Sequence, residues 1–282
     1  MAFRERRITA QDGLSLYLRD YGDANAAQLP VLCLGGISRN SRDFEALAPH
    51  LATHRRVVCP DYRGRGLSDY DVDPSNYTPA VYLRDVIDIL TALDLHQVVV
   101  IGTSIGGLLS MALASARPGA LRAVVLNDIG PELDPAGIAR IKGYLGGNRR
   151  WTDWDEAIAF LKQSFQHAGL TSREDWLVYA KRIFIEDDGG GLRQNFDPAI
   201  LNQFKSAPDK PMSYWPAYLA LRHIPLLAIR GELSDILNLE TFERMAVEIP
   251  DITAITLAGV GHAPMLDEPE IVSAIDDFLD RI

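Results

Sequence analysis

Three residues of this 282-residue chain stand where acyl transfer would need them: Ser104, Asp235 and His262. Ser104 lies in Gly102-Thr103-Ser104-Ile105-Gly106, between the β-branched run Val98-Val99-Val100-Ile101 and the apolar stretch Leu108-Leu109-Ser110-Met111-Ala112-Leu113-Ala114. The run reads as a buried strand and the stretch as a helix, which puts the serine on a sharp turn with its hydroxyl projecting away from the backbone. Glycines two residues before and after it leave room for neighbouring elements to pack closely. The first N–H groups of the new helix favour negative charge developing at the serine. A serine here could simply cap the helix, but a strand before it and a helix after it favour a nucleophile.

A serine nucleophile needs a base for its proton and an acid that holds the base in the right tautomer. His262 lies in Gly259-Val260-Gly261-His262-Ala263-Pro264, a short glycine-rich loop, whereas the other five histidines fall on helices or helix ends. Asp235 lies in Gly231-Glu232-Leu233-Ser234-Asp235. All three candidates follow strand-like runs, and loops at the carboxyl ends of parallel strands converge on one edge of the sheet. Two other acids compete. Asp128 also follows a strand run, but Asn127-Asp128-Ile129-Gly130-Pro131 reads as a turn in which the aspartate bonds local backbone. Glu232 is nearer its strand end. Asp235 is therefore the preferred acid and Asp128 its rival.

The elements that must position these residues alternate along the chain. Residues 4–9 and 14–21 alternate polar and apolar side chains around Gln11-Asp12-Gly13, a hairpin pattern. Short apolar runs at 30–34, 56–59, 98–101, 121–127, 224–230 and 253–257 read as strands covered on both faces, with helical patterns between them. Such alternation predicts an α/β fold with a doubly wound, mostly parallel sheet. From Pro131 to about Leu221 strand runs nearly vanish. Segments 135–145, 154–167 and 173–185 read as helices, the third opened by Thr171 with Glu174 in a capping-box spacing, and 198–205 and 212–221 as shorter ones. Residues 187–191 read as a loop. The expected division is a core of residues 1–130 and 222–282 with a helical cap, 131–221, inserted into it. All four tryptophans lie in the insertion. Phe196, Tyr214 and Trp215 are its candidate pocket residues, and packing accounts for most of its large aromatics.

Composition narrows the partners. A net charge of −10 and an ordinary hydrophobic share of 47% argue for a globular protein that repels nucleic acid. No apolar run approaches the length of a membrane span, and the charged start Met1-Ala2-Phe3-Arg4-Glu5-Arg6-Arg7 lacks a signal-peptide pattern, so a cytoplasmic location is expected. Cys33 and Cys59 offer neither a metal spacing nor a disulfide framework and read as core thiols. The expected partner is a small-molecule substrate, with no cofactor, metal, nucleic acid or membrane.

The chain resembles the α/β-hydrolase fold superfamily in its cap-bearing branch, and the resemblance covers nearly all of it. Its carriers are Gly102-Thr103-Ser104-Ile105-Gly106-Gly107, Pro60-Asp61-Tyr62-Arg63-Gly64-Arg65-Gly66-Leu67-Ser68, Arg230-Gly231-Glu232-Leu233-Ser234-Asp235 and Gly259-Val260-Gly261-His262. The resemblance implies an eight-stranded sheet, with Ser104 as nucleophile, His262 as general base and then acid, and Asp235, at the usual place for this carboxylate, as the orienting acid. It further implies backbone N–H groups of Ile105 and Ile37 as oxyanion donors. One departure stands out. Gly35-Gly36 replaces the His-Gly usual before the second donor, so either the loop is looser or another side chain, Arg39 or Asn40 being candidates, braces it. Arg63 and Ser68 read as structural.

The function expected is a serine hydrolase acting on a small carboxylic ester or lactone through an acyl-enzyme on Ser104. Members of the same superfamily cleave carbon–carbon bonds of vinylogous diketones with the same three residue types. A reading of another class is a low-turnover ligand receptor on the same fold, and fold alone does not separate them.

Overall fold

The computed structural model describes residues 2–147, 149–205 and 213–282. The chain opens with an antiparallel pair, β1 (Phe3–Thr9) and β2 (Ser15–Tyr21), turned at Gly13 with a positive φ of 89°. β3 (Val31–Leu34) leads through a 3₁₀ turn into the short α1 (Leu47–Leu51), and β4 (Val57–Pro60) leads into α2 (Pro79–Ala92). Then come β5 (Val98–Thr103), α3 (Ile105–Ala116) and β6 (Leu121–Asn127). After the insertion follow β9 (Leu226–Gly231), α9 (Leu239–Glu248), β10 (Thr253–Leu257) and α10 (Pro269–Leu279).

The eight strands form one sheet in the order β1-β2-β4-β3-β5-β6-β9-β10, parallel from β4 to β10 and antiparallel at the β1–β2–β4 edge. The central strands are buried on both faces, which is why they read as unbroken Val, Ile and Leu runs. Alternate residues of one strand serve two different layers. Val98 and Val100 pack with α2 and α3 residues such as Val86 and Leu109, whereas Val99 and Ile101 pack with Leu47 of α1 and Ile275 of α10. Cys33 and Cys59 are buried free thiols.

Between β6 and β9 lie α4 (Pro135–Leu145), α5 (Trp154–Ser164), α6 (Arg173–Ile183), α7 (Asn202–Lys205) and α8 (Trp215–Leu219). A two-stranded antiparallel pair, β7 (Phe184–Glu186) and β8 (Leu192–Gln194), also lies there, and the 187–191 loop is its turn. Sequence reading missed this pair because three-residue strands carry too few alternations to show a period. The capping box of α6 sits one residue later than expected. Ser172 caps the helix and Asp175 returns the bond, because Ser172, rather than Thr171, is the last residue with extended backbone.

Candidate active site

At the end of β5 the chain turns so tightly that Ser104 takes φ 54° and ψ −119°. For a non-glycine residue that costs about 1–3 kcal/mol, and it survives only where the surroundings impose it. They do so through backbone contact. A Cβ on Gly102 would lie 2.5 Å from the Gly106 carbonyl oxygen, and one on Gly106 would lie 2.2 Å from the Leu34 carbonyl oxygen. The Ser104 N–H donates to Asn127 O at 3.1 Å, anchoring the turn to β6.

His262 stands on the loop after β10. Gly261 N–H donates to His167 O at 2.7 Å, and Asn127 Nδ2 donates to Pro264 O at 2.8 Å, so this loop is tied both to the insertion and to β6. A Cβ on Gly231 would lie 2.6 Å from the Val260 and Gly261 oxygens, which seats the loop directly on the end of β9. His262 Nε2 lies 3.1 Å from Ser104 Oγ, and Nδ1 lies 2.7 Å from Asp128 Oδ2. With the Nδ1–H donating to Asp128, Nε2 is left as the acceptor for the Ser104 hydroxyl.

The carboxylate on His262 is thus Asp128, and Asp235, the preferred acid in the sequence, is elsewhere. Asp128 is fully buried at the end of β6 with φ 54°. Its Oδ1 accepts the Gly231 N–H at 2.7 Å, and Oδ2 accepts the Ser234 hydroxyl at 2.6 Å as well as His262. Those bonds run to β9 and its loop, across to the next strand, rather than to a local turn. Asp235 instead makes a two-pronged ion pair with Arg140 of α4, at 2.5 and 2.8 Å. Its loop is clamped to α4, since a Cβ on Gly137 would lie 2.2 Å from Asp235 O and Asp134 N–H donates to Ile236 O at 3.0 Å. Burial raises the Asp235 carboxyl, but the Arg140 hydrogen bonds and charge outweigh it and hold the group below the ordinary carboxylate range. Glu232, the third acid, accepts the Gly259 N–H at 2.8 Å and braces a turn. No sequence signal separated the two acids, because Arg140, the partner that occupies Asp235, lies 95 residues before it in the insertion.

Ile105 is the first residue of α3 and Ile37 follows Gly36 on the loop after β3; among the described residues neither N–H has a partner. Arg39 N–H closes the loop onto Gly36 O at 3.0 Å. From outside, Arg65 Nε donates to Ile37 O at 2.8 Å and the Tyr62 hydroxyl to Gly35 O at 3.2 Å. Arg65 is fully buried with its guanidinium carbon 4.6 Å from the Tyr82 ring centre. Tyr62 and Arg65, which were not the candidates, therefore brace the loop carbonyls, whereas Asn40 bonds Arg182 O and Arg39 fills the space over Gly36. Arg63 and Ser68 are structural as expected. Arg63 bonds Asp85, Asp12 and Asp71, and Ser68 Oγ accepts the Tyr17 N–H and donates to Asp61 O.

A cavity of about 90 Å³ opens at Ser104 and His262, walled on the insertion side by Arg140, Tyr144, Phe165, Tyr179 and Arg182. A second, of about 320 Å³, is also lined by His262, together with Arg140 and Asp235. The expected pocket residues do not line either. Phe196 is buried and bridges Arg65. Tyr214 N–H donates to Pro131 O, and Trp215 is held between Glu132 and the Arg244 guanidinium. They pack the base of the insertion where it rejoins the core, whereas Tyr144, Phe165 and Tyr179 meet edge to face over the cavity. No cluster able to hold a metal occurs among the described residues, and no helix there is long and apolar enough to cross a membrane.

Comparisons with known proteins agree with this architecture. The Alpha/beta hydrolase family matches residues 31–275. A 3-hydroxybutyrate-oligomer hydrolase from Cupriavidus necator is 32% identical over 88% of this chain and 87% of its own length. A 2-hydroxy-6-oxo-2,4-heptadienoate hydrolase from Pseudomonas putida is 25% identical over 97% of this chain and 95% of its own. The crystal structure of an alpha/beta hydrolase from Novosphingobium aromaticivorans, 43% identical, superimposes over the full length of both chains with a TM-score of 0.93. With its sheet order, its strained serine turn and this match over most of its length, the chain belongs to the α/β-hydrolase family and is a hydrolase.

Proposed function

We propose that the protein is a serine hydrolase of short carboxylic esters, with Ser104 as nucleophile, His262 as general base and acid, and Asp128 as the orienting carboxylate. The observation that carries this is the continuous chain Ser104–His262–Asp128, at 3.1 and 2.7 Å, beside a cavity. As Ser104 Oγ bonds to the substrate carbonyl carbon, its proton passes to His262 Nε2. Asp128 stabilises the imidazolium, and the N–H groups of Ile105 and Ile37 receive the oxyanion. His262 then gives the proton to the departing alkoxide, leaving an acyl group on Ser104. Water repeats the sequence, losing a proton to Nε2 and releasing the acid, and the proton returns to Ser104. The part of the insertion that walls the cavity acts as a cap that sets substrate range. The similarity to a hydrolase of 3-hydroxybutyrate oligomers, which are esters, supports this bond type.

A second reading, cleavage of a carbon–carbon bond in a vinylogous diketone by the same residues, is favoured by the similarity to the heptadienoate hydrolase. A fluorophosphonate label and a substrate series of aryl esters, lactones and one vinylogous diketone separate the possibilities. Labelling at Ser104 that disappears in Ser104→Ala, with fastest turnover on esters, is the expected result. Fastest turnover on the diketone would move the assignment to carbon–carbon cleavage. Labelling that persists in Ser104→Ala would remove the nucleophile, and labelling at Ser104 with no turnover of any class would leave a receptor.

A further inference from the structure

The net charge of the chain is −10, yet the cavity at Ser104 is lined by three arginines, Arg39, Arg140 and Arg182. Each already has one carboxylate partner, Asp43, Asp235 and Asp267 respectively, so charge alone does not distinguish them. Their remaining nitrogens do. Arg140 commits both prongs to Asp235 and Nη1 to Ser164 O. Arg39 commits Nε and Nη2 to Asp43, and its buried Nη1 has no partner among the described residues. Arg182 commits Nη2 to Asp267, and its buried Nε has none. The Tyr144 hydroxyl, on the same wall, is also buried without a partner. The Arg182 side chain is 8% exposed and that of Arg39 13%.

Buried polar groups are ordinarily hydrogen-bonded, and leaving one unsatisfied costs about 1–3 kcal/mol, so three on one cavity call for an occupant. Two of the three are guanidinium nitrogens, which only donate, and no buried oxygen on the lining side chains other than the Tyr144 hydroxyl lacks a partner. The missing group is therefore an acceptor, and beside two cations an anionic one. Position ties it to the chemistry. A Cβ on Gly36 would lie 3.0 Å from Arg39 Cγ and 3.9 Å from Ser104 Cβ, so the Arg39 stem runs beside the nucleophile on the loop that carries the Ile37 N–H.

We infer that the substrate carries a carboxylate on a short chain next to the scissile carbonyl, received by Arg39 with Arg182 and Tyr144 as the other donors. This rests on the hydrolase reading of the same cavity and narrows it from short esters to short acidic ones. Arg39 is thereby a specificity-determining residue that contacts substrate, and Gly35-Gly36 takes on a second meaning. A side chain at position 36 would contest the space that the Arg39 stem fills.

The test uses Ser104→Ala protein, which binds but cannot turn over, in calorimetric titrations with two matched pairs. Monomethyl glutarate against dimethyl glutarate places the carboxylate on the acyl side, and 3-acetoxybutyrate against its methyl ester places it on the alcohol side. Expected is about 10- to 100-fold tighter binding of the acid in at least one pair, the size of one or two charge-assisted hydrogen bonds. That preference should collapse towards unity in Ser104→Ala/Arg39→Gln and be partly kept with Arg39→Lys. Equal or weaker binding of the acid in both pairs, or no measurable binding of any of the four, would overturn the inference without any arginine variant being needed. Labelling and turnover of the wild type judge the hydrolase reading separately. Acid preference in the titrations with an unlabelled Ser104 would sink that reading and spare the carboxylate site.

Discussion

Asp128→Asn is the sharpest test of the catalytic arrangement, because the amide can lie only one way. Oδ1 accepts the Gly231 N–H at 2.7 Å, so the amide oxygen must take that position; an NH₂ there would face another donor. The NH₂ then replaces Oδ2, which in the wild type accepts from both His262 Nδ1 and the Ser234 hydroxyl. The Ser234 oxygen already accepts the Ile236 and Leu237 N–H groups, so its hydroxyl loses its acceptor there. His262 must move its proton to Nε2, and the atom 3.1 Å from Ser104 Oγ becomes a donor that cannot take the serine proton. The expected loss in kcat is on the order of 10⁴, the size known for this exchange in serine proteases, or about 5.4 kcal/mol in the barrier. Asp235→Asn, whose partner is Arg140, should cost roughly tenfold or less. The assay is kcat on the best ester from pH 6 to 10, with thermal denaturation to show that each variant folds. A folded Asp128→Asn enzyme within tenfold of wild type would refute the argument, as would an Asp235→Asn enzyme crippled as severely.

Three further outcomes are expected. Arg63→Met should lower stability in urea by about 3–5 kcal/mol, because Arg63 is fully buried and its loss leaves the buried Asp85 without its cation. Asp235→Asn should destabilise most near neutral pH. The Asp235 carboxyl is held below its ordinary range in the folded chain, so its contribution is present above the unfolded pKa and is lost as pH falls through the folded one. The gap between that variant and the wild type should therefore close on acidification, which denaturation curves at neutral and acid pH would show. Phe165→Ala should change the ester-length preference, since Phe165 lines the cavity, whereas Trp215→Ala should lower Tm and leave relative rates across the series alone.

The sheet was legible because strands buried on both faces admit little but Val, Ile and Leu; Ser104 was legible because Gly102 and Gly106 make contacts that a Cβ would block, and His262 because its loop needs Gly259 for a positive φ of 71° and Gly261 for its close approach to His167. The orienting acid was not. Asp128 and Asp235 both end a strand run beside turn residues, and what separates them is the partner each finds far along the chain: His262 for one, Arg140 for the other. Nothing in the local sequence around either aspartate records those pairings. The pocket failed for a related reason. Large aromatics mark burial without saying which face of the insertion they bury, and Trp215 packs against Arg244 of α9 while Tyr144 and Phe165 line the cavity at Ser104. Arg65 went unremarked because a fully buried arginine stacked on tyrosines looks, in sequence, like any charged turn residue.

With the carboxylate that meets His262 at the end of β6, the structure divides labour between two neighbouring loops. The carboxylate that meets the imidazole stands at a buried strand end and takes the Gly231 N–H of β9, while the loop after β9 lends it only the Ser234 hydroxyl and turns its own aspartate outward to the insertion. Asp235 is then an adjustable fastener. Exchanging it and Arg140 for another complementary pair could re-angle α4 over the cavity with the proton relay left intact. A redesign of substrate range can thus begin at this latch, which an arrangement with the acid on the later loop would forbid.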